Sequence, residues 1–200
     1  MEDSNLNKVL AIARRRRILR PRDLEAVGIP REYLLRLMRR GVVLRTGRGI
    51  YELADLVPTE HHSLAVVAKE VPTCVICLLS ALRFHGLTTQ NPSEVWVGIH
   101  VRARRPNIST VSYRPIRYSE KTLMSGVQVH RIEGIPVRIF TPAKTVADCF
   151  KYRSKIGIDV AIEALRDTLR QKKGTIDEIN AYAQLCRVGN VIRPYLEASV

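Results

Sequence analysis

The chain has 200 residues, of which 46% are hydrophobic and 26% charged. That balance excludes a disordered chain and allows one large domain or a small module joined to a medium one. Its net charge of +14, with arginine far ahead of lysine, favours a polyanionic partner, because the guanidinium fork fits phosphates and guanine edges and neutralising phosphates releases counterions.

No apolar run approaches the roughly 18 residues of a membrane span. The start, Met1-Glu2-Asp3-Ser4-Asn5, lacks the basic and apolar segments of a signal peptide, so a cytoplasmic protein is expected. Four cysteines at 74, 77, 149 and 186 are then expected to be reduced thiols. Cys74-Val75-Ile76-Cys77 has CxxC spacing, but β-branched residues fill it and no second pair completes a zinc site. Buried structural thiols are expected, with no metal and no cofactor.

Leu6, Val9, Leu10 and Ala13 mark one face of a first helix, with Arg14 to Arg17 at its C-terminal end, where cations suit the helix dipole. Pro21 suits the first turn of a short second helix through Asp23, Leu24 and Val27, and Gly28-Ile29-Pro30 breaks it. The third helix, about residues 30–40, turns Leu34, Leu37 and Met38 inward and Arg31, Glu32, Arg36, Arg39 and Arg40 outward. Gly41 ends it. Two β-rich runs, residues 42–44 and 50–53, flank Arg45-Thr46-Gly47-Arg48-Gly49 and make a hairpin.

Three short helices and a basic-tipped hairpin describe a winged helix-turn-helix over residues 1–57. In such a module the recognition helix enters the major groove and the wing reaches the flanking backbone or a narrow minor groove. The DNA-contacting set is therefore expected among Arg31, Glu32, Tyr33, Arg36, Arg39, Arg40, Arg45, Thr46 and Arg48. Arg31 and Arg36 are the candidates for base contacts; Arg39, Arg40, Arg45 and Arg48 are candidates for phosphate. Winged helices also serve as protein-interaction modules, but this segment carries 13 Lys and Arg against 7 Asp and Glu, clustered on helix 3, the wing and the end of helix 1.

Residues 58–200 read as an α/β layer domain. A helix follows Pro58-Thr59-Glu60, and the apolar run from Cys74 passes into a short helix ended by Gly86. Strands are expected near residues 94–99, 111–118, 127–132 and 136–140, the last two joined by Glu133-Gly134-Ile135-Pro136. Thr141-Pro142 opens a helix with Val146, Cys149 and Phe150 inward. The next helix sets Ile158, Ile162, Leu165 and Leu169 on one face, and Thr175 with Glu178 forms a capping box for another, with Ile179, Tyr182 and Ala183 inward. Arg102, Arg104, Arg105, Arg114 and Arg117 crowd the strand region, as a second electrostatic footprint or as a charged sheet edge. The whole chain is thus expected to be α+β, a small sheet and C-terminal helices following the winged module.

Catalysis finds little support. The carboxylates are scattered, no strand offers an E-x-K pattern, and Asp148 reads as a local partner of a nearby Lys or Arg rather than a catalytic group. His61, His62, His85, His100 and His130 show no ligand spacing, and no phosphate-binding loop or nucleophile elbow occurs. A regulator rather than an enzyme is expected, with a divergent nuclease as an alternative.

Arg22-Asp23-Leu24 through Gly28-Ile29-Pro30-Arg31, Gly47-Arg48-Gly49-Ile50-Tyr51, Val75-Ile76-Cys77 with Ser80-Ala81-Leu82 and His85-Gly86-Leu87, and Gly134-Ile135-Pro136-Val137 through residues 141–149 together resemble the AbiEi abortive-infection antitoxins of type IV toxin–antitoxin systems. The resemblance spans nearly the whole chain in the family's order. It implies a winged helix that binds promoter repeats and represses its own operon. It also implies a C-terminal domain that counters a neighbouring nucleotidyltransferase-like toxin without a stable complex. The remaining alternative is a module that neutralises a partner by direct contact.

Overall fold

The computed structural model describes residues 2–55, 57–108 and 110–199. They form two compact units: Met1–Pro72 with Asn107–Ser112 and Arg131–Val137, and Thr73–Pro106 with Tyr113–His130 and Arg138–Val200.

In the first unit, α1 (Glu2–Arg16), α2 (Pro21–Glu25) and α3 (Glu32–Arg39) precede the hairpin of β2 (Val43–Gly47) and β3 (Ile50–Leu53). This is the expected winged helix-turn-helix, with one addition. Ile18 and Leu19 form a strand, β1, antiparallel to β3, so the sheet runs β1-β3-β2. Each helix stops for a local reason. Gly28 and Gly41 take φ of +71° and +70°, where a Cβ would be strained. After α3, Val42 N–H bonds Leu37 O and Gly41 N–H bonds Met38 O, a Schellman closure. The core gathers Val9, Ala13, Leu24, Leu34, Leu37 and Val43, so the inward face expected of the third helix is the one that packs. β2 runs on to Gly47, leaving Arg48-Gly49 as the hairpin tip.

Helix α4 (His62–Glu70), on the second-domain side of the expected boundary at 57/58, lies with the first unit. Polar contacts account for its place: Lys69 Nζ lies 2.6 Å from Asp23 of α2, and His62 Nε2 lies 3.5 Å from Glu52 of β3.

The second unit is built on a mixed five-stranded sheet of order β6-β5-β4-β8-β7. Its strands are β4 (Val75–Ile76), β5 (Val95–His100), β6 (Tyr113–Tyr118), β7 (Val127–Ile132) and β8 (Ile135–Phe140). β4 is antiparallel to β5 and parallel to β8, and β5 is parallel to β6. The distal residues of the β7–β8 hairpin, Arg131–Val137, belong to the first unit.

Around this sheet lie α5 (Leu78–His85), α6 (Glu120–Met124), α7 (Pro142–Lys151), α8 (Arg153–Ile156), α9 (Ile158–Arg170), α10 (Ile176–Cys186) and α11 (Gly189–Glu197). Thr141 caps α7, its hydroxyl accepting from Lys144 N–H with Pro142 at the first position, and Thr175 with Glu178 closes the capping box of α10. Every α7 residue from Ala143 to Phe150 is buried, as expected of a helix packed on all sides. The inward face of α9 is broader than the expected one: Val160, Ala161, Ala164 and Thr168 are buried beside Leu165, Ile162 and Leu169 pack half-buried against the core, and Ile158 is 37% exposed. The two alanines let the α9 backbone approach its neighbours closely.

Candidate nucleic-acid interface

The outward face of α3 carries the expected charge. Arg31, Glu32, Arg39 and Arg40 are exposed, while Leu34 and Leu37 on the opposite face are 1% and 2% exposed. Arg36 is held in place. Its Nε and Nη2 both donate to Glu32 Oε1, at 2.9 and 2.5 Å, and its guanidinium sits 5.3 Å above the Tyr33 ring. Glu32 and Tyr33 therefore act on Arg36, as an acceptor and a stacking platform, and Tyr33 itself packs on the module's core.

On the hairpin, Arg45, Thr46 and Arg48 are exposed. Arg45 Nε donates to Gly47 O at 3.2 Å and Thr46 Oγ1 to Glu52 Oε1 at 3.0 Å, so the threonine hydroxyl is committed to the protein. Gly47 is hemmed in, because a Cβ there would collide with the Thr110 hydroxyl. Thr110 Oγ1 in turn donates to Glu70 of α4. Thr110 thus braces the wing.

Two cations that the sequence reading left out join the wing. Arg20 and Arg22 line a groove of about 500 Å³ together with Arg48, Glu70 and Asn107. Their signal was the basic stretch continuing past Arg17 to Arg20 and Arg22.

A half-buried charge network links the wing strand β3 to the β7–β8 turn. Glu133, at φ +50° in the β7–β8 turn, accepts from Thr59 N–H at 3.1 Å, Thr59 Oγ1 at 2.7 Å and Arg17 Nη1 at 3.4 Å. His62 Nδ1 lies 2.8 Å from the same carboxylate. The hydrogen bond to Glu52 raises the His62 pKa to about 9 against the opposing effect of burial, with Glu133 adding to the rise. His62 is therefore a cation at neutral pH. Burial pushes the Glu133 carboxyl up, but the hydrogen bonds from Thr59 and His62 outweigh it and hold it below its usual range.

Residues 7–54 match the family model described as a transcriptional regulator, AbiEi antitoxin. The resemblance read from the sequence is borne out over this module. No curated protein matches the chain. The matched segment runs from within α1 to the end of β3, so it is the one that presents the basic helix face and the wing.

In the second unit, three of the five strand-region arginines serve the fold. Arg114 pairs with Glu94 at 2.9 Å and lies 4.8 Å over Trp96; Arg117 donates to Val101 O and Ala103 O at 2.7 and 2.9 Å; Arg105 donates to Tyr113 at 3.2 Å. Asp148 is wholly buried, 2.6 Å from Lys144 Nζ one turn earlier, and accepts from Cys186 Sγ at 3.3 Å. It pairs locally, as expected. All four cysteines are buried free thiols, and burial pushes Cys77 and Cys149 well above the usual thiol range, so they pack rather than react. Among the described residues, no His, Cys, Asp and Glu cluster could hold a metal ion, and no helix is long and apolar enough to cross a membrane.

Proposed function

We propose that this chain is a sequence-specific DNA-binding repressor of its own operon, and the antitoxin that counters a neighbouring nucleotidyltransferase-like toxin without a stable complex. The supporting observation is the exposed arginine face of α3 beside the Arg45–Arg48 wing, on a segment that matches the AbiEi antitoxin regulators. The antitoxin half of the reading rests on the family match alone.

The chemistry divides the contacts. Arg36, oriented by Glu32 and Tyr33, reads a guanine edge in the major groove; Arg31 joins it from the start of α3. Arg39, Arg40, Arg45 and Arg48 meet phosphates and set the register of the helix in the groove. Arg36→Ala is expected to cost about 1–3 kcal/mol on the cognate duplex and to relax sequence preference. Arg48→Ala is expected to weaken all duplexes alike and to reduce the salt slope by roughly one. Fluorescence anisotropy on cognate and random duplexes separates the two, and equal losses on both duplexes for both variants would refute this division of labour.

A further inference from the structure

The first unit contains a cleft of about 570 Å³, formed by the end of α1, α2, α4 and the β7–β8 turn. Its size lies in the range of about 300–1,000 Å³ common to small-molecule sites. Five cationic side chains line it, Arg15, Arg16, Arg22, Lys69 and Arg131, against the single carboxylate of Asp23. That carboxylate is already shared, 2.6 Å from Lys69 Nζ and 3.3 Å from Arg16 Nη1. The cleft therefore holds an excess of positive charge that the Asp23 carboxylate offsets only in part.

The site is also preformed. A Cβ at Gly134 would strike the Arg15 carbonyl, so the turn is pressed against the end of α1, and Arg131 Nη1 is steered by Gly134 O at 3.4 Å. The Lys69 side chain is only 10% exposed, and burial lowers its pKa against the opposing pull of Asp23, with Arg16 and Arg22 lowering it further. An anion would relieve that crowding. Ile12, Val27, Ala68 and Pro136 supply apolar lining beside the cations.

We infer that this cleft binds a small molecule bearing two or more adjacent phosphate groups, of the nucleoside di- or triphosphate class. The phosphates would neutralise the arginines and the base would lie on the apolar lining. A duplex backbone is a convex rod that meets outward arginines; it does not reach a lysine as enclosed as Lys69. Arg22 also lines the groove beside Arg48, so an occupied cleft withdraws a cation from the duplex. That consequence rests on the DNA-binding reading, whereas ligand binding itself does not.

The test is isothermal titration calorimetry on the full chain, at physiological salt with a chelator present, using orthophosphate, pyrophosphate and ATP. Saturable binding of pyrophosphate and ATP, tighter than orthophosphate, is expected. The double variant Arg22→Ala/Arg131→Ala, and Arg15→Ala separately, should weaken binding about tenfold or more. Arg166→Ala, an exposed arginine of α9, should leave binding unchanged. Circular dichroism and melting temperature confirm that each variant folds. No heat with pyrophosphate or ATP, equal affinity for all three anions, or an equal loss in Arg166→Ala would each overturn the inference.

Discussion

His62 should make the stability of the first unit depend on pH in a defined window. Its folded pKa of about 9 lies above the ordinary 6.5 because Glu52 and Glu133 both face the ring. A raised folded pKa means that the native state holds the proton more tightly. The stabilisation is therefore complete below pH 6.5, falls as pH rises, and is gone above about 9. At 1.36 kcal/mol per unit, the shift sets an upper bound of about 3 kcal/mol. Solvent reaches part of the ring, whose side chain is 17% exposed, and screening reduces the figure to about 2 kcal/mol. Urea unfolding of the wild type and His62→Gln at half-unit steps from pH 6 to 9.5 provides the assay. Other groups titrate in both proteins, so the difference between the two isolates the histidine. That difference should shrink by about 2 kcal/mol across the window. A difference that stays flat with pH would show that the ring is not held as a cation by the two glutamates.

Other perturbations reach different parts of the molecule. Asp148→Asn leaves the Lys144 ammonium buried without its counter-charge and should cost about 3–5 kcal/mol, measured by thermal or urea unfolding. Lys144→Met/Asp148→Leu removes both charges and should recover most of that loss, and an equal loss in the double variant would argue that packing rather than charge dominates. Gly47→Ala forces Thr110 and its link to Glu70 to move and should cost about 1–3 kcal/mol by overpacking. Duplex affinity should fall with it, whereas Gly49→Ala, where a Cβ meets open space but φ is +70°, should act through backbone strain alone, costing about 1–2 kcal/mol. Cys77 should resist alkylation in the native protein and react only on unfolding, a result read by mass spectrometry after iodoacetamide treatment.

The parts legible in the sequence were those set by short-range chemistry. Periodicity and caps gave α1 to α3, the start of α7 at Thr141-Pro142 and the Thr175/Glu178 box, because those signals lie within one or two turns of chain. The outward arginines of α3 followed from the same periodicity. What escaped was decided by distant partners. Ile18-Leu19 is too short to show alternation and becomes a strand only because β3 offers a free edge. Glu133 read as a turn residue, yet its carboxylate gathers Arg17, Thr59 and His62 from far along the chain. On α9, Ile162, Leu165 and Leu169 pack on the core as read, but Ile158 stays 37% exposed, and Ala161 and Ala164 were missed because size was weighed over closeness of approach. The basic cleft combines Arg15, Lys69 and Arg131, three positions that no local window connects.

Recognition of a specific duplex by the first unit is tested most directly by its choice between duplexes. Fluorescence anisotropy should compare the duplex immediately upstream of this coding sequence with a scrambled duplex, across a salt series. A preference of about a thousandfold or more for the upstream duplex is expected, with affinity falling steeply as salt rises. Equal or negligible binding to both duplexes would contradict it and would identify the winged helix as a protein-interaction module.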